Sequence, residues 1–316
     1  MTLPVPTFRD ARILVTGAGG FLGKELCRIL TAQGAEVWGM ESGIVPGNAA
    51  DLPDHRMVYA SRIDHLSLPL THILHAAGIA SPEWYRKFPL ETIDVSSVLA
   101  RSLLDYMRAR GGSCRMLFFS SSEIYGDPDA AHVPTREDYR GNVSCLGPRA
   151  CYDESKRLGE TLCRIYAEKY GVQVVIVRPF NFFGPTMTAS DYRVLAKWRQ
   201  QIRAGAPVTI YGDGQRTRTY CYVDDGLDGC LRALAYGRAG EPYNIGCSGP
   251  EIGLADLAVA CQEASGLPVD VRFVPYPAAY PTDEPTRRCP DITRAREELG
   301  YEPRVSLQEG LRRFFA

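Results

Sequence analysis

The sequence predicts an α/β fold, a doubly wound parallel sheet with a smaller C-terminal lobe, on three observations. Short apolar runs recur at 12–16, 35–40, 57–60, 72–75, 115–120 and 172–177, each short enough to be a strand. Amphipathic stretches lie between several of them, most clearly at 21–33, 90–110 and 149–170. The first run leads directly into a glycine-rich turn and a helical pattern, the opening of a Rossmann-type unit. Strands that alternate with helices cannot pair as hairpins, so they give a parallel sheet covered on both faces. The expected division is 1–180 for the dinucleotide-binding domain, which also receives segments from about 208–245, and 181–316 for a discontinuous substrate lobe.

The elements follow in order. Arg12-Ile13-Leu14-Val15-Thr16 is β-branched and apolar, a buried strand. Gly17, Gly20 and Gly23 then form G-x-x-G-x-x-G, with Phe21 and Leu22 opening the helix. The first glycine permits the tight turn, the second lets backbone approach a pyrophosphate, and the third lets the helix pack on the strand. Glu41 ends the second strand. A carboxylate there binds a ribose 2′-hydroxyl and repels a 2′-phosphate, which favours NAD over NADP; a plain solvated loop charge is the competing reading. Residues 42–56 read as a loop. The strand 72–75 ends in Ala76-Ala77-Gly78, small residues that leave room for a cofactor or simply form a close-packed turn. The helical pattern at 90–110 places Val95, Val98, Leu99, Leu103, Leu104 and Met107 on one apolar face. A helix over 191–204 and a strand then turn at 207–214 follow in the second half.

Ligands of such sheets bind beyond the strand C-termini. That edge receives Ser120-Ser121-Ser122-Glu123 after the fifth strand, although a serine run also suits a loop or a helix cap. Tyr152 and Lys156 stand four apart on a helical stretch and so share a face. An ammonium beside a phenol favours phenolate, and a Tyr so activated is a general base towards an alcohol. Ser121 is placed to relay the proton, and Glu123 to face the substrate.

Composition narrows the class. The chain has 316 residues, 45% hydrophobic and 23% charged, with a net charge of −1. No basic run suggests nucleic acid, and no apolar run reaches membrane-spanning length. Ten scattered cysteines without a CxxC pair, and only five histidines, predict no metal site and fit reduced thiols in a cytoplasmic protein. Met1–Pro6 carries no targeting pattern.

Several motifs together resemble the extended short-chain dehydrogenases/reductases that modify nucleotide sugars. They are the glycine fingerprint, Ser120–Gly126 (SSSEIYG), Tyr152-x-x-x-Lys156, Arg178–Pro185 (RPFNFFGP), Thr217–Asp225 (TRTYCYVDD), Asn244-Ile245-Gly246 and Arg287–Ile292 (RRCPDI). The stretches 80–85, 121–128, 137–139 and above all 147–157 (GPRACYDESKR) are similar to UDP-glucuronate decarboxylases. The resemblance implies bound NAD and a homodimer through the helices at 90–110 and 149–170. It implies transient oxidation at the sugar C4, with Tyr152 as base, Lys156 lowering the Tyr pKa and holding the nicotinamide ribose, and Ser121 bridging where Thr is usual. Glu123 would order the acid–base step and Ser122 would hold the departing carboxylate. Ser81, Tyr85, Asn181 and Tyr211 would line the substrate site, and Arg218 and Arg288 would clamp the diphosphate, with Arg218 steadying the enolate as the alternative catalytic role. Nucleotide-hexose dehydratases often carry Asp-Glu in place of Ser122-Glu123, though GDP-mannose dehydratases also show Ser-Glu; a UDP-glucuronate 4-epimerase is the other enzyme alternative. An Asp that family members place after strand three to hold adenine has only Asp64 as a counterpart. The rival of a different class is a non-catalytic NAD sensor, against which the joint presence of Ser121, Glu123, Tyr152 and Lys156 argues.

Overall fold

The β-branched run expected to open the fold becomes β1 (Arg12–Thr16), buried at its last four positions and interior to a seven-stranded parallel sheet. The structure, a computed structural model, describes residues 3–45, 50–53, 56–58, 69–111, 113–188, 190–276 and 284–316. After β1 come β2 (Glu36–Met40), β3 (Met57–Val58), β4 (His72–His75), β5 (Arg115–Phe119) and β6 (Gln173–Pro179). Short strands follow: β7 (Phe182–Phe183), β8 (Val208–Tyr211), β9 (Thr217–Arg218), β10 (Cys221–Tyr222), β11 (Pro242–Ile245), β12 (Ile252–Gly253), β13 (Val271–Val274) and β14 (Arg287–Arg288). The large sheet runs β11-β6-β5-β4-β1-β2-β3. Chain order reverses between β1 and β4, and that reversal opens the crevice where a ligand binds. Residues 59–60 of the expected third strand, and Asp64, lie outside the described residues.

Strand alternation decides what covers the sheet. Ile13 and Val15 point to one face and Leu14 to the other. The first face packs on α1 (Phe21–Ala32) and on Leu227, Leu231 and Leu234 of the later helix Val223–Tyr236. The second packs on Leu103, Leu104 and Met107 and on Cys163 and Tyr166. In chain order the remaining helices are α2 (Pro82–Lys87), α3 (Pro89–Ser96), α4 (Val98–Ala109), α5 (Ala150–Tyr170), α6 (Val194–Arg203), α7 (Val223–Tyr236), α8 (Leu254–Ser265), α9 (Thr293–Leu299) and α10 (Leu307–Phe315). The cap over the C-terminal edge is built on β8 paired with β13 and on the three strands β12-β9-β14. Among the described residues no helix is long and apolar enough to cross a membrane.

The single helix expected over 90–110 is two. It breaks at Ser97, where ψ is −59° and φ −120°. The reason is local competition for carbonyls. Val95 O accepts from the buried His75 ring at 3.1 Å, and Ser97 Oγ donates to Ile93 O at 2.6 Å. The His75 donor takes Val95 O from the regular ladder, whereas Ile93 O keeps its bond from Ser97 N at 2.9 Å. The break also leaves Val98, expected on the apolar face, largely exposed.

His75 anchors the end of β4. Its Nε2 donates to Val95 O, so Nδ1 accepts from Thr16 Oγ1 at 2.7 Å, and Thr16 Oγ1 accepts from Ala77 N at 3.2 Å. Burial, aided by the Lys156 charge, pulls its pKa from 6.5 down to about 3. The unfolded imidazole gains a proton below its ordinary pKa and the folded one does not. His75 therefore removes stability as the pH falls from 6.5 towards about 3, at up to about 1.4 kcal/mol per pH unit. We expect urea unfolding of His75→Gln to lose stability between pH 6.5 and 5 less steeply than the wild type. A constant gap between the two proteins over that range would show that the ring is not held neutral.

Candidate functional site

The glycine turn makes one half of the site. Gly17 has φ +70°, and a Cβ on it would stand 2.8 Å from Ala77 Cα; a Cβ on Gly23 would overlap Gly17 O. The turn after β1 thus touches the turn after β4, and α1 starts at Gly20 without a side-chain cap. An uncapped helix start leaves backbone N–H groups available to an anion. Glu41 sits where β2 ends, and its Oε1 accepts from Gly19 N. Burial raises the Glu41 pKa, while the N–H groups of Gly19, Ser42 and Gly20 and the Lys24 charge oppose that rise. Gly17, Gly20, Phe21, Leu22, Gly23, Glu41 and Ala76 all line a cavity of about 490 Å³. These residues fit a dinucleotide: a side-chain-free cradle, an open helix N-terminus and a carboxylate at the second strand end. Ser81 lines this cavity rather than the neighbouring one, and its buried Oγ has no hydrogen-bond partner among the described residues. It precedes Pro82, the first residue of α2, without capping that helix.

The second cavity, about 590 Å³, brings together Tyr85, Ser121, Ser122, Glu123, Tyr152, Lys156, Asn181, Tyr211, Arg218 and Arg288. It shares Leu22, Ala76, Gly78, Ala80 and Arg193 with the first, so the two spaces adjoin. Ser121 caps a 3-10 turn (Ser122–Tyr125), accepting from Glu123 N at 3.2 Å, and its hydroxyl bonds the Tyr152 phenol. Tyr85 stacks on Tyr152, rings 5.6 Å apart and 17° from parallel. Its buried hydroxyl has no hydrogen-bond partner among the described residues.

Lys156 departs from expectation. Its ammonium donates to Phe119 O at 2.8 Å and stands 5.9 Å from the centre of the Tyr152 ring. Burial pushes the Tyr152 phenol up to about 12, with the Ser121 bond opposing, and pulls Lys156 down to about 8. Sharing a helix face did not bring the ammonium to the phenol, because β5's last carbonyl lies closer to it.

Glu123 is held by two arginines. One of its oxygens accepts from both Arg149 Nη2 and Arg288 Nη2, the latter at 2.7 Å. Burial alone would raise its pKa, but Arg149, Arg288 and Arg218 outweigh that and hold it below the ordinary carboxylate range. Arg288 also reaches Asn181 Oδ1 at 3.4 Å, and Asn181, at φ +45°, donates to Thr219 O at 2.8 Å. The two arginines expected to act as a pair differ. Arg218 donates to Thr217 O, Thr286 O and Pro285 O at 2.6–3.0 Å and lies against Glu284, so its fork is engaged by backbone. Tyr211 stands with Tyr276, ring centres 6.1 Å apart.

Two arginines escaped the motif reading. Arg149 belongs to the stretch GPRACYDESKR, and its spacing of four to Asp153 was a legible signal. Arg193 follows no motif; it pairs with Asp191 at 2.9 Å, sits 5.3 Å over the Phe21 ring and borders both cavities. Beneath the site, Arg178 makes a two-pronged bond to Glu160 at 2.9 and 2.6 Å and donates to Tyr125 Oη at 2.6 Å. Tyr125 in turn donates to Asn244 Oδ1 at 2.7 Å.

The chain matches, over residues 13–246, the model of a family described as NAD dependent epimerase/dehydratase. It is 36% identical over 308 residues to UDP-glucuronic acid decarboxylase 1 of Arabidopsis thaliana, covering 96% of this chain and 68% of that protein. It is 35% identical over 306 residues to UDP-glucuronic acid decarboxylase 1 of Xenopus tropicalis, covering 95% and 70%. Among solved structures it resembles a dTDP-glucose 4,6-dehydratase of Streptomyces venezuelae with NAD bound (TM-score 0.82, 26% identity, 96% and 95% covered). It also resembles a UDP-glucuronic acid 4-epimerase of Bacillus cereus in complex with UDP-glucuronic acid and NAD (TM-score 0.78, 26% identity, 96% and 98% covered). The chain belongs to the NAD-dependent epimerase/dehydratase family, the extended short-chain dehydrogenases/reductases that its motifs resemble.

Proposed function

We propose that the protein is an NAD-dependent decarboxylase of UDP-glucuronate, forming UDP-xylose. The observation that carries the choice of reaction is the state of Glu123. Expelling a sugar C6 hydroxyl requires an acid to protonate it. Expelling carbon dioxide requires none. The carboxylate nearest the reacting end is held ionised between two arginines, and the residue beside it, where many dehydratases carry Asp, is Ser122. The relatives named as UDP-glucuronic acid decarboxylases support the same reading.

The glycine turn, Glu41 and the start of α1 would hold NAD. Bound there, oxidised nicotinamide supplies a hydride acceptor, its reduced form a donor, and its positive charge favours phenolate. Tyr152, through Ser121, takes the proton of the sugar 4-hydroxyl as C4 gives up hydride. The 4-ketone makes the C5 carboxylate a β-keto acid. The C5–C6 bond breaks, carbon dioxide leaves, and the electron pair forms an enolate. C5 takes a proton from water, C4 regains hydride, and Tyr152 returns to O4 the proton it took. Lys156 holds the strand-end carbonyl of Phe119 and the ribose, and Ser122 contacts the departing carboxylate. Tyr85 and Asn181 border the sugar, Tyr211 and Arg218 the nucleotide.

We also propose a cytoplasmic homodimer. Leu90 on α3 and Leu158 and Ile165 on α5 are 71%, 48% and 44% exposed. Leu158 and Ile165 stand seven apart and share one helix face. Burying such side chains against a second copy is worth about 1.5–3 kcal/mol each. The free cysteines suit a reducing compartment.

Mixing the protein with NAD and UDP-glucuronate should release carbon dioxide and yield a UDP-pentose. Formation of UDP-galacturonate instead, or water loss from a neutral nucleotide-hexose, would overturn the assignment. Tyr152→Phe should lower kcat by about 10²–10⁴-fold with NAD affinity, read by titration calorimetry, unchanged. In sedimentation experiments the wild type should run as a dimer, and the double variant Leu158→Glu/Ile165→Glu as a monomer.

A further inference from the structure

Two arginines share one oxygen of Glu123, but they are held differently. Arg149 is 5% exposed and stands at the N-cap of the 21-residue helix α5, three residues before Tyr152. Its Nη2 bonds Glu123, and its Nε lies 3.5 Å from Asp153 Oδ2 on the next turn. Arg288 comes from the two-residue strand β14. Its other side-chain bond is the 3.4 Å one to Asn181; the Nε atoms of both arginines are buried without a hydrogen-bond partner among the described residues. One guanidinium is fixed by a long helix and a second carboxylate. The other rests on a two-residue strand and leans on a neutral amide instead, and both border the sugar cavity.

Resting on the decarboxylase reading, we propose that Arg149 is a positioning residue, the permanent counter-ion of Glu123, while Arg288 changes partner from Glu123 to an anionic group of the substrate. A substrate that carries a carboxylate and a diphosphate competes for any guanidinium at the cavity wall, because planar two-pronged recognition suits both groups. If Arg288 were Glu123's sole partner, each binding event would strip a buried carboxylate of its counter-charge. A buried carboxylate so stripped takes up a proton and loses its orientation. Arg149 prevents this: it bonds the same oxygen from inside the protein, and Asp153 keeps its fork turned towards α5.

The charged and titratable groups around Glu123 come from every element packed on it. They are Arg149, Tyr152 and Asp153 on α5, Tyr85 on α2, Arg218 on β9, Arg288 on β14 and Glu284 before it. Of these, Arg149 and Arg288 alone bond Glu123 among the described hydrogen bonds from side chains.

The test reads the Glu123 carboxyl directly, by carbon NMR of protein labelled at glutamate and assigned with Glu123→Gln, and reads the pH profile of kcat beside it. Arg149→Met should raise the Glu123 titration and the acidic limb of kcat by about one pH unit or more, and Arg149→Lys should restore most of that shift. Arg288→Met should raise KM for UDP-glucuronate about tenfold or more. With saturating substrate it should leave the acidic limb where the wild type has it. In the Glu123→Gln background Arg149→Met should cost little further rate. If Arg149→Met does not fold, Asp153→Asn decides: with Arg149 left to Glu123 alone, the titration should move to lower pH. An Arg149→Met protein that loses rate equally at all pH with Glu123 titrating as before, an Asp153→Asn protein with no movement, or a limb that follows Arg288 instead, would overturn the proposal. Because the NMR titration needs no turnover, it decides the role of Arg149 even if UDP-glucuronate is not the substrate.

Discussion

The buried pair Arg178–Glu160 is the constraint on which the site's geometry depends. Glu160 lies one turn beyond Lys156 on α5, and Arg178 lies on β6. Their bond therefore fixes the helix that carries Tyr152 and Lys156 against the sheet. The same guanidinium bonds Tyr125, which ends the turn begun by Ser121, and Glu137 O; Ser120 Oγ donates to Glu160. Through Tyr125 and Asn244 the network reaches β11 and, through Asn244 Nδ2, the carbonyls of Thr135 and Asp291. Asp291 is three residues from Arg288. One ion pair thus ties together the elements that supply the phenol, the serine and the arginine. Removing one partner of such a pair leaves an uncompensated buried charge, at about 3–5 kcal/mol. The network is better regarded as a device for registration than as a source of net stability, since two well-packed apolar residues could be as stable without specifying the same geometry.

What the sequence made legible follows from how local each signal is. β1, the glycine turn and α1 are contiguous, and their chemistry is backbone chemistry: Gly17 must accept a positive φ, and Gly23 must be bare where the turn packs on the helix. Such requirements are written at single positions. Tyr152 and Lys156 were also readable, because helical spacing places both on one face. Their interaction was not, because the decisive partner of Lys156 is a carbonyl 37 residues away, and nothing in a spacing of four reveals it. The break at Ser97 has the same origin: a strand residue, His75, claims a helix carbonyl. Arg149 was visible in a motif, but its partner Glu123 lies 26 residues off, and Arg193 meets Phe21 from a distant part of the chain. Local patterns specified elements, and long-range electrostatics specified what the side chains do.

The phenol's environment makes base strength conditional. In the free protein Tyr152 is buried, stacked on Tyr85 and flanked by the negative charges of Glu123 and Asp153, all of which favour the neutral form. The favourable influences are the Ser121 bond and the charge of Arg193. In the proposed reaction, a further positive charge in the adjoining cavity would shift that balance where the spaces meet, at Gly78 and Ala76. A Cβ on Gly78 would come within 3.1 Å of Lys156 Nζ, so the absence of a side chain there keeps the passage between the two cavities open beside the ammonium. The phenol would then become a competent base only once that positive charge is in place beside it.

The relatives that share this fold carry names for epimerisation, dehydration and decarboxylation, so the fold alone does not select the chemistry. Transient oxidation at C4 is compatible with all three. What separates them is the fate of the group on C5, and that depends on which protons the site can deliver. A dehydratase needs a neutral acid facing C6. Here position 122 is a serine, and position 123 is a carboxylate whose proton two guanidiniums have displaced. An epimerase needs the ketone to turn over before the β-carboxylate leaves, and so gains from cations that stabilise that carboxylate. In this chain two of the nearby guanidiniums are already committed, Arg149 to Glu123 and Asp153, and Arg218 to the carbonyls at 217, 285 and 286, which leaves Arg288 to turn to the substrate. A carboxylate bound with few free cations around it is less stabilised than one in a dedicated arginine fork, and loss of carbon dioxide from the keto acid is correspondingly easier. The reaction type therefore follows from how the arginines are occupied.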